Sequence, residues 1–218
     1  DHKQAGEGDV GPNTGGMGAY SPAPVLTPDL QARVIEEIIR PTVDTMRAEG
    51  TPYSGVRYAG LMLTAQGPKL IEYNCRFGDP ECQVLMTRLA GDLAAIMMAC
   101  AKGELSGVEA RFSDNTALTE VMAAKGYPGT PEKGGTIDLG DAEAEGAKIF
   151  HAGTKLGEDG TLIANGGRVL NVTATGANVS DAKAAAYDAV AKVDFASGFY
   201  RSDIGWKEVV REGEDERG

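Results

Sequence analysis

The sequence predicts an α+β protein in two parts, and three observations carry that prediction. Apolar residues recur at helical intervals over 28–50 and 81–101, two short strand-like runs at 57–64 and 69–74 lie between them, and the chain turns β-rich beyond residue 110. The expected division therefore falls near residue 110, giving parts 1–110 and 111–218, the second a small mixed β-rich domain. A chain of 218 residues is long enough to bury a core of its own.

Residues 1–24 hold six glycines and three prolines with little periodicity, so they read as loop. Thr27-Pro28-Asp29 then supplies a cap, a proline at the first helical position and an early carboxylate. Leu30, Val34, Ile35, Ile38 and Ile39 form one stripe, which predicts a core-facing helix that Pro41 kinks or divides before Val43 and Met46 resume the pattern, ending at Gly50. Residues 57–64 and 69–74, joined by Ala65-Gln66-Gly67-Pro68, predict an antiparallel hairpin. Glu72 and Asn74, two apart, project from one face of its second strand. After a turn at 77–80, the helical stretch 81–101 breaks at Gly91-Asp92, with Asp92 as the second cap. In the second part, strands are expected at 117–123, 148–152 and 168–174. A helix capped by Ser180 follows to about Val193, Asp138 to Glu145 is a solvated connection, and 208–218 is a fraying charged tail.

Composition narrows the function. The net charge of −11 opposes a general electrostatic hold on nucleic acid or an anionic membrane. No apolar run approaches the roughly 18 residues that span a bilayer. Cys75, Cys82 and Cys100 make no CxxC pair and no disulfide framework, so a reducing cytoplasm with buried inert thiols is expected. Two histidines are too few for a histidine-rich cage, so a bound metal should be a hard ion held by oxygen. The opening DHKQAGEGDVG has neither an initiator methionine nor a signal core and reads as the interior of a longer chain.

Two strings can carry chemistry. In Gly11-Pro12-Asn13-Thr14-Gly15-Gly16-Met17-Gly18, the glycines allow positive φ and close approach, so that successive N–H groups can turn onto a phosphate or carboxylate. The plainer alternative is a turn. In Glu72-Tyr73-Asn74-Cys75-Arg76, a carboxylate and an amide oxygen on one face, followed by a guanidinium, match a magnesium–nucleotide site. On spacing alone the plainer reading is the stronger: a polar strand face with Arg76 as its salt-bridge partner. His151 reads as a packing residue, Tyr127-Pro128-Gly129 as a turn, Asn165-Gly166-Gly167-Arg168 as a hairpin turn, and Arg201 with Asp203 as a local ion pair of little energetic weight.

Taken together, GPNTGGMGAYSPAP at 11–24, YAGLML at 58–63, IEYNCRFGDPE at 71–81, VMAAKGYPG at 121–129, FHAGTK at 150–155, NGGRVLNVTA at 165–174 and RSDIGW at 201–206 resemble the glycinamide ribonucleotide synthetase family, the phosphoribosylamine–glycine ligases of purine biosynthesis. The resemblance implies that residues 1–110 are the carboxyl-terminal part of an ATP-grasp domain. It implies ATP as co-substrate, magnesium or manganese as cofactor, and glycine and 5-phosphoribosylamine as partners, joined through a glycyl phosphate. By position it assigns Glu72 and Asn74 to the metal and nucleotide, Arg76 to the catalytic centre, and Asn13, Thr14, Gly15 and Gly16 to the substrate loop. Asp79 and Glu81 fall in the same motif as substrate-binding candidates. The superfamily's further metal carboxylate has no counterpart at Met62 and Leu63. The family's amino-terminal half precedes the matched strings, so activity is expected to require that half. Two rivals stand beside this reading: another ATP-grasp carboxylate–amine ligase, and a non-catalytic binding or assembly module.

Overall fold

The computed structural model describes residues 1–215. In chain order the elements are β1 (Gln4–Gly6), β2 (Val10–Asn13), β3 (Gly18–Ser21), α1 (Pro28–Val34), a π-helical turn (Ile35–Ile39), α2 (Arg40–Ala48), β4 (Tyr58–Thr64), β5 (Gly67–Asn74), α3 (Glu81–Arg88), α4 (Leu93–Lys102), β6 (Thr116–Ala124), β7 (Lys148–His151), β8 (Thr154–Leu156), β9 (Leu162–Ala164), β10 (Arg168–Gly176), α5 (Val179–Val190), β11 (Gly198–Phe199) and α6 (Trp206–Asp215). They form two compact units. The larger holds Asp1–Pro22, Asp79–Leu89 and the chain from Phe112 onward; the smaller holds Ala23–Gly78 and Ala90–Arg111. Packing thus interleaves what a single division near residue 110 separates, because β3 pairs with the distant β6. Among the described residues no helix is long and apolar enough to cross a membrane.

In the larger unit an antiparallel sheet runs β11-β6-β10-β7, with β3 sharing the outer edge of β6. Every residue of β6 is buried, as a strand covered on both faces requires. Its alternation sorts the core: Leu118 and Met122 join Leu170, Val172 and the Val179, Ala182 and Ala186 face of α5, whereas Ala117 meets Ala19 and Val84 of α3. The loop expected over 1–24 therefore contains three short strands. Their glycine and proline content hid them, and their pairing is supplied by β6 and by a turn in which Asp9 takes a left-handed φ of 57°.

Three further expectations for this unit are corrected. The cap of α5 is Asn178, whose Oδ1 accepts the Asp181 N–H at 2.8 Å. Ser180 and Val179 instead donate their N–H groups to Glu212 at 2.9 and 2.8 Å, so the segment expected to fray is helix α6, docked by a carboxylate at the start of α5. Residues 216–218 of that expected tail lie outside the described residues. Residues 165–167 do not turn a hairpin, because β9 pairs with β8 and the Asn165 N–H is taken by the Gly153 carbonyl at 2.7 Å.

Arg201 is the largest correction. Only 1 % exposed, its guanidinium donates to Asp203 at 2.7 and 2.9 Å, to Asp9 at 3.0 Å and to the Gln4 carbonyl at 3.0 Å. The Gly8 N–H closes on Asp203 at 2.7 Å and Lys207 on Asp9 at 2.7 Å. Burial alone would raise the Asp9 carboxyl, but hydrogen bonds from Lys207, Arg201 and His2 together hold it well below the usual carboxylate range. His2 is buried, and burial pushes its imidazole down to about 4. A neutral ring with Nδ1–H toward Asp9 (3.3 Å) and Nε2 accepting the Gly205 N–H (3.0 Å) satisfies every partner. Replacing Arg201→Met removes the cation that Asp9 and Asp203 share, leaving Asp9 with Lys207 and His2 and Asp203 with the Gly8 N–H. We expect a loss of about 3 kcal/mol or more in urea unfolding.

Glu120, wholly buried on β6, faces Tyr187 from α5 and Arg201 and Asp203 from the carboxyl-terminal segment. One carboxyl oxygen accepts the Arg201 N–H at 3.0 Å; the other lies 2.7 Å from the Tyr187 hydroxyl, which also contacts the Arg201 carbonyl. One hydroxyl proton cannot serve both acceptors at once, and a protonated Glu120 supplies the missing donor. Burial accordingly pushes the Glu120 carboxyl well above its ordinary value. Because the folded form holds the proton more tightly than the unfolded one, this group contributes no penalty below the unfolded pKa and a growing one as pH rises toward the folded pKa. Glu120→Gln, which keeps the shape and the donor, is expected to raise Tm at pH 8, by roughly 2–4 °C for a gain on the order of 1 kcal/mol. Calorimetry across pH should show that gap closing toward pH 4.

In the smaller unit the helical prediction holds with one change. Thr27 caps α1 by accepting the Leu30 N–H at 3.3 Å, and Asp92 caps α4 by accepting the Ala95 N–H at 3.0 Å. Pro41 leaves the helix unbroken, because the turn before it widens and the Arg40 N–H reaches back to the Ile35 carbonyl. The stripe is not core-facing as expected. Val34 is buried, but Ile35 is exposed and Ile38 and Ile39 are half-buried, since the neighbouring sheet of this unit has two strands only.

Candidate functional site

The hairpin β4–β5 carries the acid–amide pair. Its register sets Glu72 against Gly60 and Asn74 against Tyr58, and a bulge leaves Ile71 without an opposite residue. Glu72 and Asn74 share a face as the spacing predicted, with Asn74 Nδ2 donating to Glu72 Oε1 at 3.3 Å. Arg76 donates to the Phe77 carbonyl at 2.8 Å, and the salt bridge to Glu72 that the plainer reading required is not formed.

This donor set fits a hard divalent cation. A carboxylate and an amide oxygen are hard ligands, and two protein oxygens suit magnesium or manganese, which retains water and takes phosphate oxygens at its other positions. Among the described residues no group of three or more His, Cys, Asp and Glu side chains gathers for a metal. The residue opposite Glu72 is Gly60, whereas Met62 and Leu63 lie opposite Lys69 and Pro68, farther along the hairpin.

The glycine loop of the larger unit does something different from cradling an anion with its backbone. The Thr14 N–H goes to the Lys3 carbonyl at 2.7 Å, Gly15 to the Tyr127 hydroxyl at 3.0 Å, Gly16 to Thr14 Oγ1 at 2.9 Å and Met17 to the His2 carbonyl at 2.8 Å. These donors are satisfied within the protein. Gly16 needs its φ of 125°, and a Cβ there would also sit 2.5 Å from Pro80 Cδ; a Cβ at Gly15 would sit 2.8 Å from the Arg168 guanidinium, which would have to shift. Asn13 is exposed and accepts from Gln4 Nε2 at 3.2 Å.

Arg168, which sequence reasoning placed in a turn, organises this region. It reaches the Asp79 carboxylate at 2.8 Å, the Asp79 carbonyl at 2.5 Å and the Gly16 carbonyl at 3.3 Å. Asp79 also accepts from Gln83 at 3.0 Å. Asp79 and the Gly15-Gly16 turn are thus brought together by a residue distant in sequence, and nothing local in the sequence signals it. Glu81 is buried at the start of α3 with Lys3 Nζ at 4.0 Å. Tyr127 is the second residue missed; its hydroxyl, having accepted from Gly15, keeps a proton to donate.

The remaining candidates stay modest. His151 is exposed and meets Thr154 Oγ1 at 3.1 Å. The three cysteines are free, but they are not all buried as expected: Cys75 is exposed, Cys82 and Cys100 are half-buried, and burial pushes the Cys82 thiol up. Arg168→Leu should release the loop: amide exchange at Gly15 and Gly16 is expected to quicken about tenfold or more as the Asp79 and Gly16 acceptors lose their shared donor.

The fold is ATP-grasp, of the α+β class. The chain is similar to a phosphoribosylamine–glycine ligase from Thermotoga maritima at TM-score 0.81 and 39% identity, covering 93% of this chain and 50% of that one. A urea carboxylase from Kluyveromyces lactis, 14% identical with TM-score 0.59, shares the fold alone. Two family models match: the ATP-grasp (A) domain of phosphoribosylglycinamide synthetase over residues 1–82, and its C domain over 117–207. Proteins named phosphoribosylamine–glycine ligase are 58% identical in Mesorhizobium japonicum (97% of this chain, 50% of that protein) and 56% identical in Vigna unguiculata (93% and 67%). A relative from Arabidopsis thaliana, 56% identical, is named as chloroplastic; this chain covers 95% of itself and 40% of that protein in the match. The chain belongs to the phosphoribosylglycinamide synthetase family, and it spans about half the length of the Mesorhizobium relative.

Proposed function

We propose that this chain supplies the carboxyl-terminal half of the machinery of a phosphoribosylamine–glycine ligase. ATP phosphorylates the glycine carboxylate, releasing ADP; the amine of 5-phosphoribosylamine then attacks the glycyl carbonyl, and phosphate leaves. Three anionic molecules meet, so the protein's main task is to position them and offset charge. The observation that carries the reading is the Glu72–Asn74 oxygen pair with an Arg76 that no carboxylate has claimed.

In this reading Glu72 and Asn74 hold a magnesium or manganese ion, which when bound neutralises phosphate oxygens. Arg76 receives an anionic oxygen of the phosphate or acyl group through its fork of donors. Asn13, Thr14, Gly15 and Gly16 line the substrate side. The backbone donors of Thr14, Gly15 and Gly16 are already used, so recognition there falls to side chains such as Asn13 and to the free proton of Tyr127. Asp79 and Glu81 serve the substrate side as well, Asp79 through the support it receives from Arg168. The chain corresponds to about half of the Mesorhizobium relative, so turnover calls for the amino-terminal half, joined or added as a separate chain. The compartment proposed is the cytoplasm, where three free thiols stay reduced.

The test is formation of glycinamide ribonucleotide and ADP from ATP, glycine and phosphoribosylamine when this chain is combined with that amino-terminal half. Glu72→Ala with Asn74→Ala is expected to lower kcat on the order of 100-fold or more. Unchanged turnover in the double variant, or product formed by the chain unaided, overturns the corresponding part of the reading.

A further inference from the structure

The hairpin that bears the acid–amide pair is a two-stranded sheet, and such a sheet is marginal in water unless something packs on it. Ion binding requires donor atoms held to a fraction of an ångström, so what steadies β5 bears directly on the metal. Tyr73 stands between Glu72 and Asn74 and projects from the opposite face of the strand.

Its surroundings are built in detail. The Tyr73 hydroxyl lies 3.2 Å from the Ile38 carbonyl and 3.1 Å from Thr42 Oγ1, and Thr42 Oγ1 donates to the same carbonyl at 2.8 Å. These three oxygens form a triangle that two hydroxyl protons satisfy. Thr42 lies four residues beyond Ile38 in the same helix, so its hydroxyl bonds back to the carbonyl one turn earlier, and that carbonyl also accepts from Tyr73. Over the ring, the Arg57 guanidinium stacks 5.2 Å from the centroid of Tyr73 and 5.2 Å from that of Tyr53. Arg57 Nη1 is buried with no hydrogen-bond partner, so the two aromatic faces are what this end of the cation has in its place.

We propose that Tyr73, clamped by Ile38, Thr42 and Arg57, is a positioning residue that sets the Glu72 and Asn74 oxygens at the separation a divalent cation requires. The inference rests on the metal reading of Glu72 and Asn74 given above. Tyr73 touches no ligand itself. It acts by fixing the translation and roll of β5 against the helix, so that the two residues flanking it cannot swing independently of each other.

The test uses manganese alone as a paramagnetic probe on the isotopically labelled chain, following the amide signals of residues 72–74. In the wild type these signals should broaden selectively. In Tyr73→Phe, which keeps the ring under Arg57 but loses the hydroxyl, roughly tenfold more manganese should be needed for the same broadening while signals elsewhere stay in place. Thr42→Val should shift the titration in the same direction. If Tyr73→Phe perturbs the hairpin as a whole, Thr42→Val alone decides. A hydroxyl-deleted variant that stays folded and titrates as the wild type does overturns the positioning role. Glu72→Ala separates the two claims: broadening that survives in it sinks the metal reading itself, whereas broadening lost there but unchanged in Tyr73→Phe sinks only the inference about Tyr73.

Discussion

In the larger unit the buried Arg201 guanidinium is held by residues from both ends of the chain. Asp203 comes from its own segment, whereas Asp9 and the Gln4 carbonyl come from the first hairpin. The cost of leaving any of these charges alone is several kcal/mol. The arrangement therefore fixes where residues 1–13 can lie. Once they are placed, His2 caps the Gly205 N–H, Gly18 to Ser21 pair with β6, and the Thr14 to Gly16 turn is held against Lys3 and Tyr127. The same segment delivers the Arg201 N–H to Glu120, so the buried acid and the buried cation share one network without forming an ion pair by side chains.

The smaller unit solves a different problem. It has few buried apolar side chains among the described residues, and its sheet has two strands, so bulk hydrophobic packing contributes less to its order. Directional contacts take over: helix caps at Thr27 and Asp92, the cation–π stack at Arg57, and the hydroxyl triangle at Ile38. Such contacts fix geometry more than they add stability. That holds in place the strand on which Glu72 and Asn74 share one face.

Local chemistry made much of this legible. Thr27-Pro28-Asp29 announced a helix start, Asp92 a cap, and the alternating runs around Gly67 a hairpin, because each signal acts over a few residues. Strands β6, β7 and β10 were found near their observed bounds for the same reason. Short strands in glycine-rich sequence were missed, since β3 is a strand only by virtue of the partner that β6 provides. The segment 208–215 was misread because its charge pattern suggests solvent, while Glu208 is buried and Glu212 docks on α5. The glycine loop was understood in composition but not in use: its four glycines serve close packing or a positive φ, and the N–H groups of residues 14–17 are consumed internally.

What the sequence determined by itself was the period of the longer elements, the shared face of Glu72 and Asn74, and the family to which the motifs belong. All three depend on spacing along the chain. What only the tertiary structure decided was which polar and charged groups leave water and who answers them: Arg201 with Asp9, Arg168 with Asp79 and Gly16, Tyr73 with Ile38. Those pairings join residues far apart in sequence. Desolvation makes each of these groups costly to leave unpaired, and desolvation depends on the packed surroundings that no local window of sequence contains.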